Sequence, residues 1–374
     1  MRFAIANHAY DEFLEWLYKS RPQLSEQTFE TQLTTYYATM FASSDFYAHA
    51  LGSWGHEVHE FVVNNLYAQR TWLKERKTSL FHRWCARLAR RNSVEIFGRK
   101  SNPSSAFDIL LEQIRLVRPD VLYNQSVYAF DDDQLRALKT YTGLLVGEHA
   151  AMALPETINY RLYDLIVSSF PPTINWLRER GVKAELNRLA FDPRVLSMLP
   201  DEPRDIKTSF VGSFLPIHRS RLELVEAVAA QVPEIVVNGS VAMDVSSSSP
   251  LVGRIGPALW GRDMYALLGR SLITLNHHGN VPPFANNMRL YEATGMGCLL
   301  VTDQKENLRE MFEPEREVVT YRDAAECVEK VQYYLDDRNR GACRAIAAAG
   351  QKRTLREHTY EARMKHLVEL IRAI

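Results

Sequence analysis

The sequence lacks any long apolar run. None of its uninterrupted apolar stretches approaches the roughly 20 residues that a helix needs to span a bilayer. The short apolar run at the N-terminus is followed at once by acidic and polar residues, so it does not have the apolar region of a secretory signal. We therefore expect a cytoplasmic protein whose membrane contact, if it has any, is peripheral.

Cysteine is scarce, with four residues in 374. Cys85, Cys298, Cys327 and Cys343 are far apart and form no CxxC or Cys/His pairing, which excludes the usual zinc and disulfide frameworks. Glycine and proline, at 17 and 16 residues, are too few for a fibrous or disordered chain. The composition therefore indicates a globular protein with reduced thiols.

The chain also lacks net charge, since 45 Lys and Arg residues balance 45 Asp and Glu residues. It has no general positive field, so duplex nucleic acid is not an expected partner. One local exception spans residues 70–91, where eight basic residues accompany a single acid and apolar residues recur at helical spacing. This pattern usually indicates a solvated helix packed through its apolar stripe, and it also fits a helix on an anionic membrane surface or beside an acidic acceptor.

What is present is a regular alternation of short apolar runs and helix-length segments, which is typical of an α/β fold with parallel sheets. At this length two cores are expected. The first series of predicted strands covers Phe3–Ala6, Val58–Val63, Val121–Tyr123, Gly143–Val146, Leu165–Val167 and Lys183–Leu189.

A stretch rich in Pro and Asp, from Phe191 to Arg204, is a candidate linker. A second α/β series follows it. We predict an N-terminal Rossmann-like domain with a helical insertion at 1–198, a second Rossmann-like domain at 205–355, and a helix at 356–374 that packs back on the first domain.

The chemistry concentrates after one strand of the second series. The strand runs into His277, His278 and a Pro-rich loop, and a helix is predicted to begin near Asn286. Asn286 or Asn287 would cap a helix start suited to a diphosphate, Arg289 would add a charge-assisted bond, and Glu292 would accept hydrogen bonds from ribose. Gly295 is the predicted residue just past the helix end.

These residues belong to a recognisable motif. The segment from Asn287 to Asp303, NMRLYEATGMGCLLVTD, with Asn307-Leu308 after it, resembles the group-1 glycosyltransferase domain of the CgeB-like (spore maturation protein) type. Phe210–Ser213 with His218–Arg221 is similar to the opening strand and turn of that domain.

The resemblance implies a GT-B fold, in which two Rossmann-like domains face each other across a cleft. It implies a nucleotide-sugar donor of the UDP, GDP or dTDP type in the second domain, and a glycan, lipid-linked, protein or small-molecule acceptor in the first. It further implies metal-independent, retaining transfer, in bacterial surface or secreted glycan assembly or in protein or small-molecule glycosylation. The donor-site residues expected on this basis are Gly212, Ser213, Arg219, His277, Asn286, Asn287, Arg289 and Glu292.

The sequence departs from the family at one position. Group-1 enzymes often carry a second glutamate eight residues before the position of Glu292, where it reaches the donor sugar, and this chain has Phe284 there. The sugar-contacting group is left open among His277, His278 and the backbone amides near Phe284.

The first domain offers Glu148 and His149 at the end of a predicted strand, where ligand sites of α/β folds form. Together with His278 they are the candidate catalytic residues, as a general base or as hydrogen-bond donors. Asn7 and His8 after the first strand, and Asn124 and Gln125 after a later one, are their expected neighbours.

Simpler interpretations stand beside these. Arg289 and Glu292 can be an ordinary surface ion pair, and Glu148 and His149 can be structural. The DxD in Asp131–Asp133 precedes a helical pattern and is interpreted as a helix N-cap rather than a metal site. A nucleotide-sugar epimerase or hydrolase, a non-catalytic sugar-nucleotide-binding protein and a glycosyltransferase acting on a nucleic-acid base are the alternative functions.

Overall fold

The computed structural model describes residues 1–42, 44–76, 103–150, 153–279 and 283–374, with side chains in the third range from residue 106 onward. The chain divides into two compact units, one formed by Met1–Asn187 with Met364–Ile374 and the other by Arg188–Arg363. The basic segment predicted at 70–91 lies outside the described residues beyond Arg76.

The first unit contains a parallel sheet of six strands in the order β2-β1-β3-β4-β5-β6. Its inner strands read as continuous apolar runs because helices cover both faces of such a sheet. The strands are β1 (Arg2–Asn7), β2 (Glu57–Val62), β3 (Val121–Asn124), β4 (Leu144–His149), β5 (Leu165–Ser168) and β6 (Ala184–Leu186).

The helices of the first unit bury one apolar face each, as the spacing of their Leu, Phe and Ile residues requires. They are α1 (Asp11–Lys19), α2 (Phe29–Tyr37), α3 (Phe46–Ser53), α4 (Leu66–Glu75), α5 (Pro103–Val117), α6 (Asp132–Lys139) and α7 (Pro171–Glu179).

The acidic run Asp131–Asp133 starts α6, as the sequence predicts. Asp131 accepts a hydrogen bond from the Gln134 backbone N–H at 2.9 Å, and the Gln134 side chain accepts one from the Asp131 N–H at 3.0 Å. This reciprocal capping box confirms the helix-cap interpretation. Among the described residues no group of three or more His, Cys, Asp or Glu side chains is arranged to hold a metal ion.

The second unit contains another parallel sheet of six strands, in the order β12-β11-β10-β7-β8-β9. Its strands are β7 (Ile206–Val211), β8 (Val236–Asn238), β9 (Ile255–Gly256), β10 (Ser271–Asn276), β11 (Leu299–Asp303) and β12 (Val319–Tyr321). Its helices are α8 (Arg194–Met198), α9 (Arg219–Gln231), α10 (Arg262–Arg270), α11 (Arg289–Gly295), α12 (Ala324–Leu335) and α13 (Arg340–Glu357).

The last helix, α14 (Tyr360–Arg372), begins in the second unit, and its residues from Met364 onward cluster with the first. Met364, Leu367 and Ile371, one turn apart, are buried, and the Lys365 ammonium lies 5.5 Å from the ring centroid of Trp54. Within the described ranges, no helix combines the length and apolar character needed to cross a bilayer.

The segment predicted as a linker, Phe191–Arg204, lies in the second unit. Phe191 is fully buried, and its backbone exchanges hydrogen bonds with the stretch that joins α13 to α14: its N–H donates to His358 and its carbonyl accepts from Tyr360. Arg194 binds the buried carboxylate of Asp192 through Nη2 at 2.7 Å.

Candidate functional site

In the second unit, polar residues gather where β7 and β10 end. β7 leads through α9 to β8 on one side of it, while β10 lies on its other side, so the direction of the chain connections reverses between β7 and β10. A crevice forms at the carboxyl ends of the strands at such a switch point, and it is the general ligand site of open α/β sheets.

Two guanidinium groups meet at this point, one from each side of Gly212. Arg289 Nη2 donates to the carbonyl of Val211 at 3.2 Å, and Arg221 Nη1 donates to the carbonyl of Ser213 at 2.8 Å. Arg221 Nη2 also donates to the carbonyl of His277 at 3.1 Å, which joins the loop after β7 to the end of β10. Both Arg residues are therefore fixed by backbone oxygen atoms.

The two cations are close enough to affect each other. Burial lowers the pKa of Arg221, and the charge of Arg289 lowers it further, to about 10. The Nε–H groups of both arginines are buried and find no hydrogen-bond acceptor among the described residues. This arrangement raises the local positive potential and provides donors for an anion.

Arg289 and Glu292 do form the predicted i, i+3 ion pair, with Nη1 and Oε2 2.9 Å apart. The interpretation as a surface pair is wrong, because the side chains are only 13% and 7% exposed. Burial raises the pKa of Glu292, and the adjacent Arg289 charge partly offsets that rise. The carboxylate is therefore held in the first turn of α11 by its ion pair with Arg289.

The predicted start of α11 is wrong. The helix begins at Arg289, and Met288 precedes it without any side-chain cap. The Asn287 amide instead donates to the Asn276 side chain at the end of β10, at 2.8 Å, and Asn286 lies half-buried in the loop. A helix of seven residues also has only a small dipole, so the arginine side chains carry most of the positive charge at this site.

The end of α11 also differs from its prediction. Gly295 is the last helical residue, and Gly297, with φ of +69°, takes the left-handed conformation that was expected of Gly295. Gly295 serves packing instead, because a Cβ atom there would lie 2.5 Å from the ring of Phe191.

Beside the arginines, the ends of β10 and β11 bring together His278 and Asp303. His278 Nδ1 lies 2.6 Å from Asp303 Oδ1, and Lys305 Nζ lies 3.2 Å from Asp303 Oδ2. Burial acts to raise the pKa of Asp303, but the hydrogen bond from His278 and the neighbouring positive charges outweigh it and hold that pKa at about 2. His277 is oriented by a hydrogen bond from the Gly279 N–H to its Nδ1 at 2.8 Å, and burial lowers its pKa.

Of the expected donor-site residues, Gly212, Ser213, His277, Asn287, Arg289 and Glu292 lie around this point, whereas Arg219 is exposed at the first residue of α9. Sequence reasoning missed Arg221, although both arginines belong to the segment HRSR. It also gave no role to Asp303, the last residue of an apolar strand, or to Asn307, whose side chain holds Ala285 through two hydrogen bonds at 2.6 and 3.1 Å.

In the first unit, Glu148 lies at the end of β4 as predicted. Tyr47 donates its hydroxyl hydrogen to Glu148 Oε1 at 2.8 Å, and Tyr123 also hydrogen-bonds to this carboxyl group. Burial raises the pKa of Glu148 to about 7, and the two tyrosine hydrogen bonds limit the rise. Its neighbour His149 is buried, with its ring centroid 6.4 Å from that of Tyr128.

Asn7 and Asn124, two of the residues expected near Glu148, have partners of their own. Asn7 Nδ2 donates to Glu60 Oε1 at 3.0 Å, and Asn124 Nδ2 donates to the Tyr163 hydroxyl at 2.8 Å. Burial raises the pKa of Glu60 to about 8 and lowers that of His8 to about 4. No sequence motif singles out Glu60, because it occupies the middle of a strand.

Part of the chain that forms this site matches a known protein family. Residues 219–369, which include α9, α11 and the ends of β10 and β11, match the family described as glycosyl transferase-like. Among curated proteins, none matches the sequence.

Solved structures match the whole chain. HepE from Anabaena, solved in complex with UDP-glucose, is 12% identical, with a TM-score of 0.58 and 100% of each chain covered. A glycosyltransferase from Rickettsia africae is 12% identical, with a TM-score of 0.57, covering 99% of this chain and 97% of that one. Sucrose-phosphate synthase from Thermosynechococcus elongatus is 13% identical, with a TM-score of 0.55, covering 100% of this chain and 98% of that one.

Together these findings confirm the predicted fold class, because two Rossmann-like units of this kind match GT-B structures along the full chain. With the family match over residues 219–369, they define the class of protein: it is an enzyme of the GT-B glycosyltransferase type. The CgeB-like subtype stays a prediction from the sequence motif.

Proposed function

We propose that this protein transfers a sugar from a nucleotide-sugar donor, of the UDP type, to an acceptor hydroxyl, and that its second unit binds the donor at the carboxyl ends of β7 and β10. The observation that carries the proposal is the pair of partly buried guanidinium groups of Arg221 and Arg289 around Gly212. A diphosphate is an anion that would relieve the repulsion between them and accept hydrogen bonds from both.

Other features of the site support the remaining parts of the donor. The Glu292 carboxylate, fixed by Arg289, suits the hydroxyl groups of a ribose. UDP is the nucleotide chosen because HepE, of similar fold over its full length, was solved with UDP-glucose. The two arginines supply the charge stabilisation that a divalent metal gives in other transferases, so we propose metal-independent transfer.

For the acceptor, we propose that the first unit uses Glu148 and His149. A carboxyl group whose pKa lies near 7 is suited to exchange a proton with a hydroxyl at neutral pH, and Tyr47 orients it. We further propose transfer with retention of configuration, to an acceptor in bacterial glycan assembly or in protein or small-molecule glycosylation. The resemblance of the Asn287–Asp303 motif supports this part of the proposal.

The donor site can be tested with matched arginine variants. Calorimetric titration of UDP, GDP and dTDP into the wild type should identify the nucleotide, with UDP bound most tightly. Arg221→Met should weaken UDP binding by about 10- to 100-fold, the range expected for losing hydrogen bonds to a charged group. Arg219→Met, which removes an exposed arginine two residues away, should leave the UDP Kd within about twofold of the wild-type value.

Thermal unfolding of both variants without ligand controls for folding. If Arg221→Met keeps its melting temperature and binds UDP as tightly as the wild type, the donor-site assignment is wrong. If the wild type binds none of the three nucleotides, the proposed function itself is wrong.

A further inference from the structure

One imidazole nitrogen of His278 has no partner among the residues that the structure describes. Its side chain is 1% exposed, and Nε2 makes no hydrogen bond to any of the described residues. Leaving a buried polar atom without a hydrogen bond destabilises the folded state, so such atoms are rare in folded proteins unless something else binds them.

The other nitrogen of the same ring is firmly held. Asp303 Oδ1 lies 2.6 Å from His278 Nδ1 and also accepts from the His278 backbone N–H at 3.1 Å, while Lys305 lies beside the second carboxylate oxygen. A carboxylate can only accept, so the proton of a neutral imidazole is kept on Nδ1. Nε2 is then a hydrogen-bond acceptor with a fixed direction.

A cavity of about 430 Å³ adjoins this cluster. His277, Gly279, Asp303, Lys305 and Tyr321 are among the residues that line it, so His278 is flanked on both sides in the chain by lining residues. The volume lies in the range of small-molecule sites. Carboxylate, ammonium, imidazole and phenol groups around one cavity offer both donors and acceptors, which suits a ligand rich in hydroxyl groups.

The same part of the chain lacks the residue that its sequence family would use for this purpose. Phe284, which stands where group-1 enzymes often have a sugar-contacting glutamate, has no side-chain acceptor. An acceptor of hydrogen bonds from the sugar then has to come from another group. His278 Nε2, shortly before Phe284 in the chain, is buried with no partner among the described residues.

We propose that His278 accepts, through Nε2, a hydrogen bond from a hydroxyl group of the transferred sugar, and that Asp303 and Lys305 are the residues that position it. This inference rests on the proposed function, since it requires a sugar nucleotide at the site. It assigns the sugar contact to a His–Asp–Lys cluster in place of the glutamate that is replaced by Phe284.

The test compares the affinity for UDP with the affinity for UDP-glucose, UDP-galactose and UDP-N-acetylglucosamine, measured by calorimetry. In the wild type, at least one UDP-sugar should bind more tightly than UDP. That advantage should fall by about tenfold in His278→Phe, which keeps the ring shape but removes the acceptor, with the Kd for UDP unchanged within about twofold. Asp303→Asn should reduce the advantage severalfold, and Asp337→Asn, an exposed position elsewhere, should not change it.

A second measurement covers the case in which a variant fails to fold. With ¹⁵N-labelled histidine, wild-type His278 should show the Nδ1–H tautomer, and its Nε2 signal should shift when the UDP-sugar binds but not when UDP binds. The inference would be overturned if His278→Phe lost affinity for UDP and for the UDP-sugar by the same factor. It would also be overturned if the Nε2 chemical shift were the same with the UDP-sugar as with UDP. A wild type that binds no UDP-sugar more tightly than UDP would also overturn the inference. If that wild type still binds UDP, the proposed function stands.

Discussion

At the scale of single residues, the ion pair between Arg289 and Glu292 is the feature whose removal is easiest to measure. The two side chains are 13% and 7% exposed, so Glu292→Ala leaves a buried guanidinium without its counter-ion. We expect this variant to lose about 3–5 kcal/mol of unfolding free energy, measured by denaturant titration. Glu15→Ala, which breaks the exposed Glu15–Lys19 pair, should lose no more than about 0.5 kcal/mol. Equal losses in the two variants would contradict the buried position of the pair.

Glu60 gives the residue-scale prediction for pH. Its pKa is raised by burial to about 8 from an ordinary value of 4.5, so the folded state binds more protons than the unfolded state between these values. The free energy of unfolding should therefore fall as pH rises from about 4.5 to 8. Glu60→Gln removes an ionisation that opposes folding, and its carbonyl can still accept from Asn7.

We expect Glu60→Gln to be more stable than the wild type by roughly 1–3 kcal/mol at pH 9 and equal to it at pH 4, by denaturant unfolding at each pH. The exposed Glu12→Gln should follow the wild-type curve throughout. If the free energy of unfolding of the wild type does not fall relative to that of Glu60→Gln as pH rises above 5, Glu60 is ionised in the folded protein.

The residues of the donor site were only partly predictable, for reasons of geometry. Arg289 and Glu292 belong to a motif on one helix, and their spacing alone brings them together. Arg221 was missed because Arg219 and Arg221, two residues apart, point about 200° from each other around α9, and the sequence does not show which of them faces the strand ends. His278 was identified from its place after a strand, whereas its partner Asp303 comes from a different strand.

At the scale of elements, Gly295 and Gly341 allow one substitution to be compared in two helices. Ala in place of Gly normally stabilises a helix by up to about 1 kcal/mol. At Gly341 in α13 nothing lies within 4 Å of the added Cβ atom, so Gly341→Ala should be neutral or slightly stabilising. At Gly295 the added atom would lie 2.5 Å from the Phe191 ring, so Gly295→Ala should destabilise the protein by about 1–3 kcal/mol.

Denaturant unfolding measures whether Gly295→Ala lowers the free energy of unfolding while Gly341→Ala leaves it unchanged or raises it. A shift of the same sign in both would mean that Phe191 does not pack against α11 as described. Gly295→Ala should also weaken UDP binding, since α11 carries Arg289.

Elements differ in how well the sequence predicts them. The inner strands β1, β3 and β5 were located within one residue at each end, and β4 within three, because buried parallel strands are continuous apolar runs. The start of α11 was misplaced by about three residues, since the side chain expected to cap it, Asn287, pairs with Asn276 on β10. The preference of Asn287 for capping a helix is outweighed there by its hydrogen bond to Asn276, which lies on a different element.

At the scale of the whole molecule, two Rossmann-like units follow from composition and periodicity. Alternating strands and helices over 374 residues require two sheets, and the chain forms two of six parallel strands each. The boundary could not be placed from composition alone. The Pro- and Asp-rich segment that resembles a linker begins with Phe191, which is buried in the second unit by contacts with a stretch more than 160 residues later.

The same limit applies to function at this scale. The motif from Asn287 to Asp303 indicated the class of enzyme, and the family match over 219–369 with the GT-B fold bears it out. The proposed acceptor site depends on residues of the first unit that no motif marks, such as Tyr47, which binds Glu148. Their positions become visible only when the strands are assembled into a sheet.

The most direct test of the central claim is a turnover measurement. The wild type is incubated with each UDP-sugar that it binds, with and without a mixture of candidate acceptors, and UDP release and sugar products are followed by NMR. The account predicts UDP release that depends on the acceptor and that falls at least tenfold in Arg221→Met but not in Arg219→Met. A changed or hydrolysed sugar without any acceptor, or the same rate in both variants, would contradict it.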